Sequence, residues 1–532
     1  MKNFLILLLP LITFVNTATS QTWCKTIESD SADIVPYSLI QVEDGSYFIT
    51  GSYAIKDKDE DLFIAKTNAQ GDLIWTKTIG GPQADKGHAF ASSGDGGVVI
   101  AASTYTYGEV AYTNMIIKID SLGTIQWSKS IIGLGYQSFS SMIRSGDGGY
   151  VLTGNTRKAS GQDIFYRIFT VKLDNSGSIQ WTRMIGEKND AGYAIIQTRD
   201  GGYAIAGIKT NSSSDLYITK LDGSGDLQWT RTVGGTRDDV GYDIIQADDG
   251  MYYVVGQTNS FGLSLSRNDL LIVKLNEAGN LVWSHTINDQ LSWIIGRKVI
   301  QAHTGKIMTL GYQKTGMETR MHLAKVDQDG NIYMRKTFGI NDTLSSTGSN
   351  IINTADGGFA IVGATDLAND YNHTGILFIK LDSNCNVCPG CGQWEGLGSV
   401  EEHGESGIGG TIWGGGTEGT CIFSTGTGGT MNNICYTNAI IPIQRNEYIF
   451  IGFPSPFSDM ISFRYNLEIS VKYKLEFFNN TGTMVFTDCF VPDRKTGTLS
   501  KFLPSLSSGL YLVRLSKVSD AKTIATLRLI KQ

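Results

Sequence analysis

Apolar and polar residues alternate along most of this chain in short runs broken by Gly, Asp and Asn. Such runs, rich in β-branched and aromatic residues, predict short strands joined by tight turns. The clearest copy is Asp222-Gly223-Ser224-Gly225-Asp226-Leu227-Gln228-Trp229-Thr230-Arg231-Thr232, a turn leading into a strand headed by tryptophan. Versions of it recur at Trp23, Trp75, Trp127, Trp181, Trp229 and Trp283, with Met334 in the seventh copy. A lysine sits nine positions before the anchor, or before its expected place: Lys66, Lys118, Lys172, Lys220, Lys274, Lys325 and, closing the series, Lys380. A turn glycine sits four positions earlier, as at Gly71, Gly123, Gly177, Gly225, Gly279 and Gly330.

Each period of about 50 residues holds four strands, labelled A to D. In the Trp229 copy, A is 228–233, B is 241–246, C is 252–256 and D is 270–275. The B–C turn repeats as Asp95-Gly96-Gly97, Asp147-Gly148-Gly149, Asp200-Gly201-Gly202 and Asp356-Gly357-Gly358. Strand C closes on a small residue: Gly51, Ala102, Gly154, Gly207, Gly256, Gly311 or Gly363. Such residues suit crowded packing between neighbouring sheets. A four-stranded unit cannot bury both faces alone, but units stacked around an axis can. Residues 21–383 therefore predict a seven-bladed β-propeller with blades ordered B-C-D-A. Strand A at Trp23 has no earlier D strand, and strand D at 376–381 has no later A strand. The first should complete the last blade and close the ring.

The period is lost over 384–446, where Gly-Gly pairs dominate and five of the seven cysteines fall. Low apolar content and repeated glycine predict a flexible linker. A disulfide from Cys24 on the closing strand to Cys385 beyond its partner strand is one expectation; Cys489 is a candidate for the odd thiol. Residues 447–532 return to strand-like alternation and predict a small immunoglobulin-like β-sandwich, so the whole chain reads as all-β.

Two resemblances attach to these motifs. The Asp-x-x-Gly-x-x-x-Trp run, as in Asp174 to Trp181, resembles the tryptophan-docking motif of quinoprotein-type propellers, one residue shorter between Asp and Gly. It implies fold, with little bearing on activity. The terminal domain resembles type IX secretion sorting domains. Phe453, Pro454, Pro456 and Asp459 match the opening motif, with Ser455 where Asn is usual. Gly482, Gly509, Tyr511 and Lys531 follow in the family's order. The resemblance implies passage across the outer membrane of a Bacteroidota-type bacterium, with the type IX secretion machinery as partner. Residues 1–20 fit a signal peptide, with Lys2, an apolar core from Phe4 to Val15 and a small-x-small site at Ala18-Thr19-Ser20. No later run is long enough for a spanning helix. The expected destination is the medium or the outer cell surface, via the periplasm.

Net charge is −7 and no Lys/Arg-rich run occurs, which argues against nucleic acid as a partner. The six histidines are scattered, and no nucleophile elbow or phosphate loop occurs. No catalytic, metal or cofactor constellation is assigned. Three function classes remain: a binding module for a glycan or surface protein, favoured here, a polysaccharide hydrolase or lyase, and a quinone-dependent oxidoreductase. Any ligand is expected on the face carrying the A–B and C–D loops, which vary in length and carry Tyr105, Tyr107, Tyr112, Phe261 and Tyr371. The Lys series reads as solvated strand-end charges more readily than as an anion surface. The Asp-x-Gly runs at Asp85, Asp190 and Asp239 read as turn caps more readily than as cation sites.

Overall fold

The computed structural model describes residues 22–531 apart from 30–31, 56–58, 81–82, 106–112, 133–135, 161–162, 187–188, 262–266, 290, 340–344, 368–369, 389–391, 396–399, 403–404, 408–411, 414–416, 420–423, 427–429, 436–448, 454–459, 480–482, 495 and 520–522. The expected signal segment lies outside the described residues. The chain divides into two compact units, residues 1–437 and 438–532, and each is described by itself.

In the first unit the described strands form seven antiparallel sheets, each containing one repeat in the order B-C-D-A. In the fourth sheet these strands are Ala191–Gln197, Tyr203–Thr210, Ser214–Leu221 and Leu227–Gly234. The B strands are Ala32–Gln41, Asp85–Ser92, Tyr136–Arg144, Ala191–Gln197, Asp239–Gln246, Ser292–Gln301 and Ser346–Asn353. Each B strand touches the next, and the last touches the first. They are the inner wall of a closed, propeller-like ring. The last sheet is completed by Trp23–Glu28, with Trp23 opposite Lys380 and Ile27 opposite Ile376.

The repeat residues hold neighbouring sheets together. Each D–A turn places its glycine in the left-handed region, at φ 73° for Gly71 and 81° for Gly225. The preceding sheet's tryptophan lies on that glycine in five of these turns, and at Gly330 the His285 ring takes its place. A Cβ on Gly71 would come within 2.6 Å of the Trp23 ring, and one on Gly225 within 3.0 Å of Trp181. The cation two residues past the tryptophan reaches the same turn. Lys25 Nζ meets Asp72 at 2.6 Å, and Arg183 donates to the Ser224 carbonyl at 2.9 Å. In the seventh turn Cys385 takes the glycine's place, at φ 61°, and its carbonyl accepts from Lys336 at 3.2 Å. Cys385 is a buried free thiol, so the expected bond to Cys24 is not made. Its side chain belongs to the turn's packing, while Cys24 stands opposite Cys435 on another strand. Cys489 is free and exposed.

The lysine series is neither solvated nor a ligand surface. Lys66, Lys172, Lys220, Lys274, Lys325 and Lys380 are buried. Within a sheet the strand D ammonium meets the B–C turn aspartate: Lys118 to Asp95 at 2.6 Å, Lys172 to Asp147 at 2.7 Å, Lys220 to Asp200 at 2.8 Å and Lys380 to Asp356 at 2.9 Å. These carboxylates also accept from their own turns, as Asp200 does from Gly202 N–H at 3.0 Å. The turns need an acceptor for a buried ammonium, and that fixes the Lys–Asp pairing.

The stretch read as a flexible linker instead carries short paired strands. They add a fifth strand to strand A of every sheet, in reverse chain order. Gly392–Glu395 joins the sixth sheet, Val400–Glu402 the fifth and Glu405–Gly407 the fourth. Ile412–Trp413, Thr417–Gly419 and Ser424–Gly426 join the third, second and first. Thr430–Cys435 ends the series on Trp23–Glu28. Exposed strand edges present unpaired N–H and C=O groups, and this belt pairs them. Strands of two to six residues leave no hydrophobic period for a sequence reading to find.

The second unit holds a three-stranded and a four-stranded antiparallel sheet around one core that includes Phe463, Tyr473, Phe477, Val513 and Leu515. Tyr511 is buried and donates its hydroxyl to the Ser507 carbonyl at 2.6 Å. Lys531 is buried and donates to the Leu503 carbonyl at 2.6 Å. Phe453 ends one strand and Gly509 opens another. Pro454, Pro456, Asp459 and Gly482 lie outside the described residues.

Candidate functional site

Every inner strand contains a β-bulge at the same repeat position. Pairing slips past Tyr37, His88, Ser140, Tyr193, Tyr242, Arg297 and Ser349, one residue per sheet. A bulge leaves one residue out of the ladder and re-aims its side chain. The strand C small residue explains why the bulge is tolerated. A Cβ on Gly207 would lie 1.9 Å from the Ala191 carbonyl oxygen, and one on Gly256 1.7 Å from that of Val240. The tightest crowding at these glycines is thus within the sheet, against the bulged strand, while a Cβ on Gly363 would also come within 2.5 Å of the Met321 side chain of the neighbouring sheet.

Six of the bulge residues line one cavity of about 850 Å³: Tyr37, Ser140, Tyr193, Tyr242, Arg297 and Ser349. Tyr312, Lys298 and Thr347 add to its wall. Trp293, Lys314 and Thr319 also line it, beside the A–B and C–D connections of the sixth sheet, so the cavity reaches that face of the ring. Trp293 is 43% exposed. The seventh bulge residue, His88, stacks beside Tyr37 with ring centroids 6.3 Å apart. Its Nε2 is 2.7 Å from the Ser103 hydroxyl.

The rings are arranged as platforms. Tyr193 and Tyr242 have centroids 5.7 Å apart at 35°. The Arg297 guanidinium sits 4.2 Å from the Tyr242 centroid and 5.9 Å from that of Tyr312. Burial pushes the Tyr193 and Tyr242 hydroxyls above the usual tyrosine range, so both stay protonated donors. Burial, with Lys86 nearby, pulls the His88 imidazole down to about 4, so it is neutral at physiological pH. Among the described residues lining the cavity there is no Asp or Glu. Asp243, one residue past a bulge, is occupied by Lys298 Nζ at 3.3 Å and the Val299 N–H at 2.9 Å.

A second crevice, of about 580 Å³, lies between the third and fourth sheets. Its lining includes Trp181, Arg183, Lys172 and Asp147, the groups already engaged in docking and turn pairing, so it is a packing crevice.

The residues expected from sequence lie elsewhere. Tyr105 is exposed on the expected face and its N–H bonds the Ala84 carbonyl at 3.0 Å, tying two loops together. Phe261 is partly buried against the core of the fourth and fifth sheets. Neither lines the cavity. Tyr107 and Tyr112 lie outside the described residues, and only the backbone of Tyr371 is described. Asp239 accepts from the Gly235 N–H at 2.8 Å and the Ser260 hydroxyl at 2.7 Å, as a loop cap does. The cavity aromatics were missed because the bulge position holds four residue types and leaves no identity repeat. The strand C glycine opposite it was the available signal.

No family model matches the chain, and no curated protein is similar to it. Among solved structures, the chain is similar to a GH43_12 retrieved from a capybara gut metagenome, at 12% identity and a TM-score of 0.22, covering 73% of this chain and 100% of that one. It is also similar to a tetra-tandem repeat in the extending region of a large adhesion protein, at 10% identity and a TM-score of 0.12, covering 98% of this chain and 96% of that one. Neither score carries an argument about function.

Proposed function

We propose that the chain is a seven-bladed propeller that binds a saccharide in its central cavity, exported to the medium or cell surface by its C-terminal sandwich. The bulge ring carries this reading. It turns tyrosines toward one cavity, and Trp293 stands exposed at the mouth. Flat aromatic faces with polar tips suit ligands that present an apolar ring face and hydroxyls at once. A glycoside hydrolase needs a pair of carboxyl groups flanking the scissile bond. The described lining offers aromatics and cations in their place, which favours binding over the hydrolase or lyase alternative. The test is a glycan array followed by product analysis on every hit. Binding with the ligand recovered intact supports the proposal; release of new reducing ends sinks it.

Export rests on the sorting-domain resemblance and on a terminal unit with its own core, in which Tyr511 and Lys531 are buried. Removing 447–532 in a native host should trap a folded propeller in the periplasm. Normal secretion of that truncated chain would count against the sorting role.

A further inference from the structure

We infer that the cavity ligand is acidic: a saccharide bearing a carboxylate, such as a uronate oligomer, whose carboxylate pairs with Arg297. The inference rests on the saccharide reading above and adds the charge. Lys298, the next residue along the same strand, is neutralised by Asp243 at 3.3 Å. Arg297 has no carboxylate partner among the described residues, although it lines the same cavity. Its guanidinium face is covered by Tyr242 at 4.2 Å, with Tyr312 at 5.9 Å. A guanidinium stacked on a ring donates in its own plane, from a fork that matches the two oxygens of a carboxylate. Lys314, exposed at the mouth, adds a second positive charge with no ion pair among the described residues.

This local charge runs against the net charge of the chain, −7. A cationic cavity inside an acidic protein concentrates an anionic ligand at one place. The stacked aromatic partners also make Arg297 rigid, so little side-chain freedom is lost when the ligand arrives.

The experiment titrates the full mature chain with oligomers of galacturonate, mannuronate and glucuronate, each beside its methyl ester. Neutral oligosaccharides and a sulfated oligosaccharide complete the panel. At least one acid should bind tenfold or more tightly than its ester, a difference of about 1.4 kcal/mol. Arg297→Gln should bring that ratio close to one, and Arg297→Lys should restore part of it. A matching thermal melt for both variants separates lost charge from lost fold. Equal binding of acid and ester would overturn the acidic inference while leaving the saccharide reading intact. Preference for the sulfated oligomer would overturn the carboxylate assignment. Binding to no member of either panel would overturn the saccharide reading itself.

Discussion

The two ends of the propeller-like ring are built from the same repeat but to different rules. At the end carrying the B–C and D–A turns, cations are matched to carboxylates and turns. The hydrogen bond from Lys118 and that from Ser93 pull Asp95 down to about 2. Tryptophans dock on left-handed glycines there, and Lys or Arg closes over them. At the end carrying the A–B and C–D loops, some carboxylates crowd one another, although Lys209 pairs with Asp190 at 3.7 Å. Burial, then the charges of Asp85 and Asp59, push Asp61 up to about 6. Burial, then the charges of Asp239 and Asp238, raise Asp215, burial raises Asp239, and one buried oxygen of each has no hydrogen-bond partner among the described residues. The bulge-lined cavity opens toward this second end. A repeat can stay uniform where it must close a ring, and can carry local cost where loops and ligands meet.

Deleting Trp23–Glu28 removes the strand both ends share. It leaves Ile376–Leu381 and the Thr430–Cys435 belt strand without their partner, so the cooperative melt should move down by far more than for any point change. An unchanged melt would break the closure argument for both ends.

Gly225→Ala attacks the docking end alone. The new Cβ meets the Trp181 ring at 3.0 Å and the backbone is at φ 81°, so about 2 kcal/mol should be lost. Gly201→Ala has the same φ of 81° but nothing within 4 Å, and should cost about 1 kcal/mol. Equal losses in chemical denaturation would remove docking from the account.

The smallest effects are pH-dependent and opposite in sign. Asp95 is about 2 in the folded state, below its unfolded value of about 3.9, so its stabilisation is present above about pH 4 and lost as pH falls toward 2. Asp61 is about 6, above its unfolded value, so it favours folding in acid and that benefit fades as pH rises from about 4 to about 6. Lys118→Met should weaken the chain at pH 7 and much less near pH 2. Asp61→Asn should stabilise it at pH 7 and do little at pH 4. Melting curves across pH check both; matching signs at pH 7 would erase the contrast between the ends.

The docking end was legible in sequence because its chemistry repeats by identity. The Trp, Gly, Asp and Lys positions gave the sheets, their order and the closing strand. The cavity was not, because a bulge is set by backbone register and accepts tyrosine, serine, histidine or arginine alike. Loop variability points to Tyr105, Tyr107, Tyr112, Phe261 and Tyr371, and carries no information about the wall of a cavity formed by the inner strands. The belt was misread because glycine-rich strands of a few residues, paired at sheet edges, share the composition of a linker. Cys385 misled for a related reason. Its place in the chain suggested a covalent tie, whereas its φ of 61° marks it as the seventh turn residue.

We propose that the bulge ring, and not the loop aromatics, forms the binding site. One calorimetric series tests it, using an oligosaccharide that the unmodified chain binds. Tyr193→Ala and Tyr242→Ala are predicted to lower affinity tenfold or more, while Tyr105→Ala and Phe261→Ala stay within about twofold in folded protein. Loss of affinity in the loop pair with the ring pair unaffected would contradict the account.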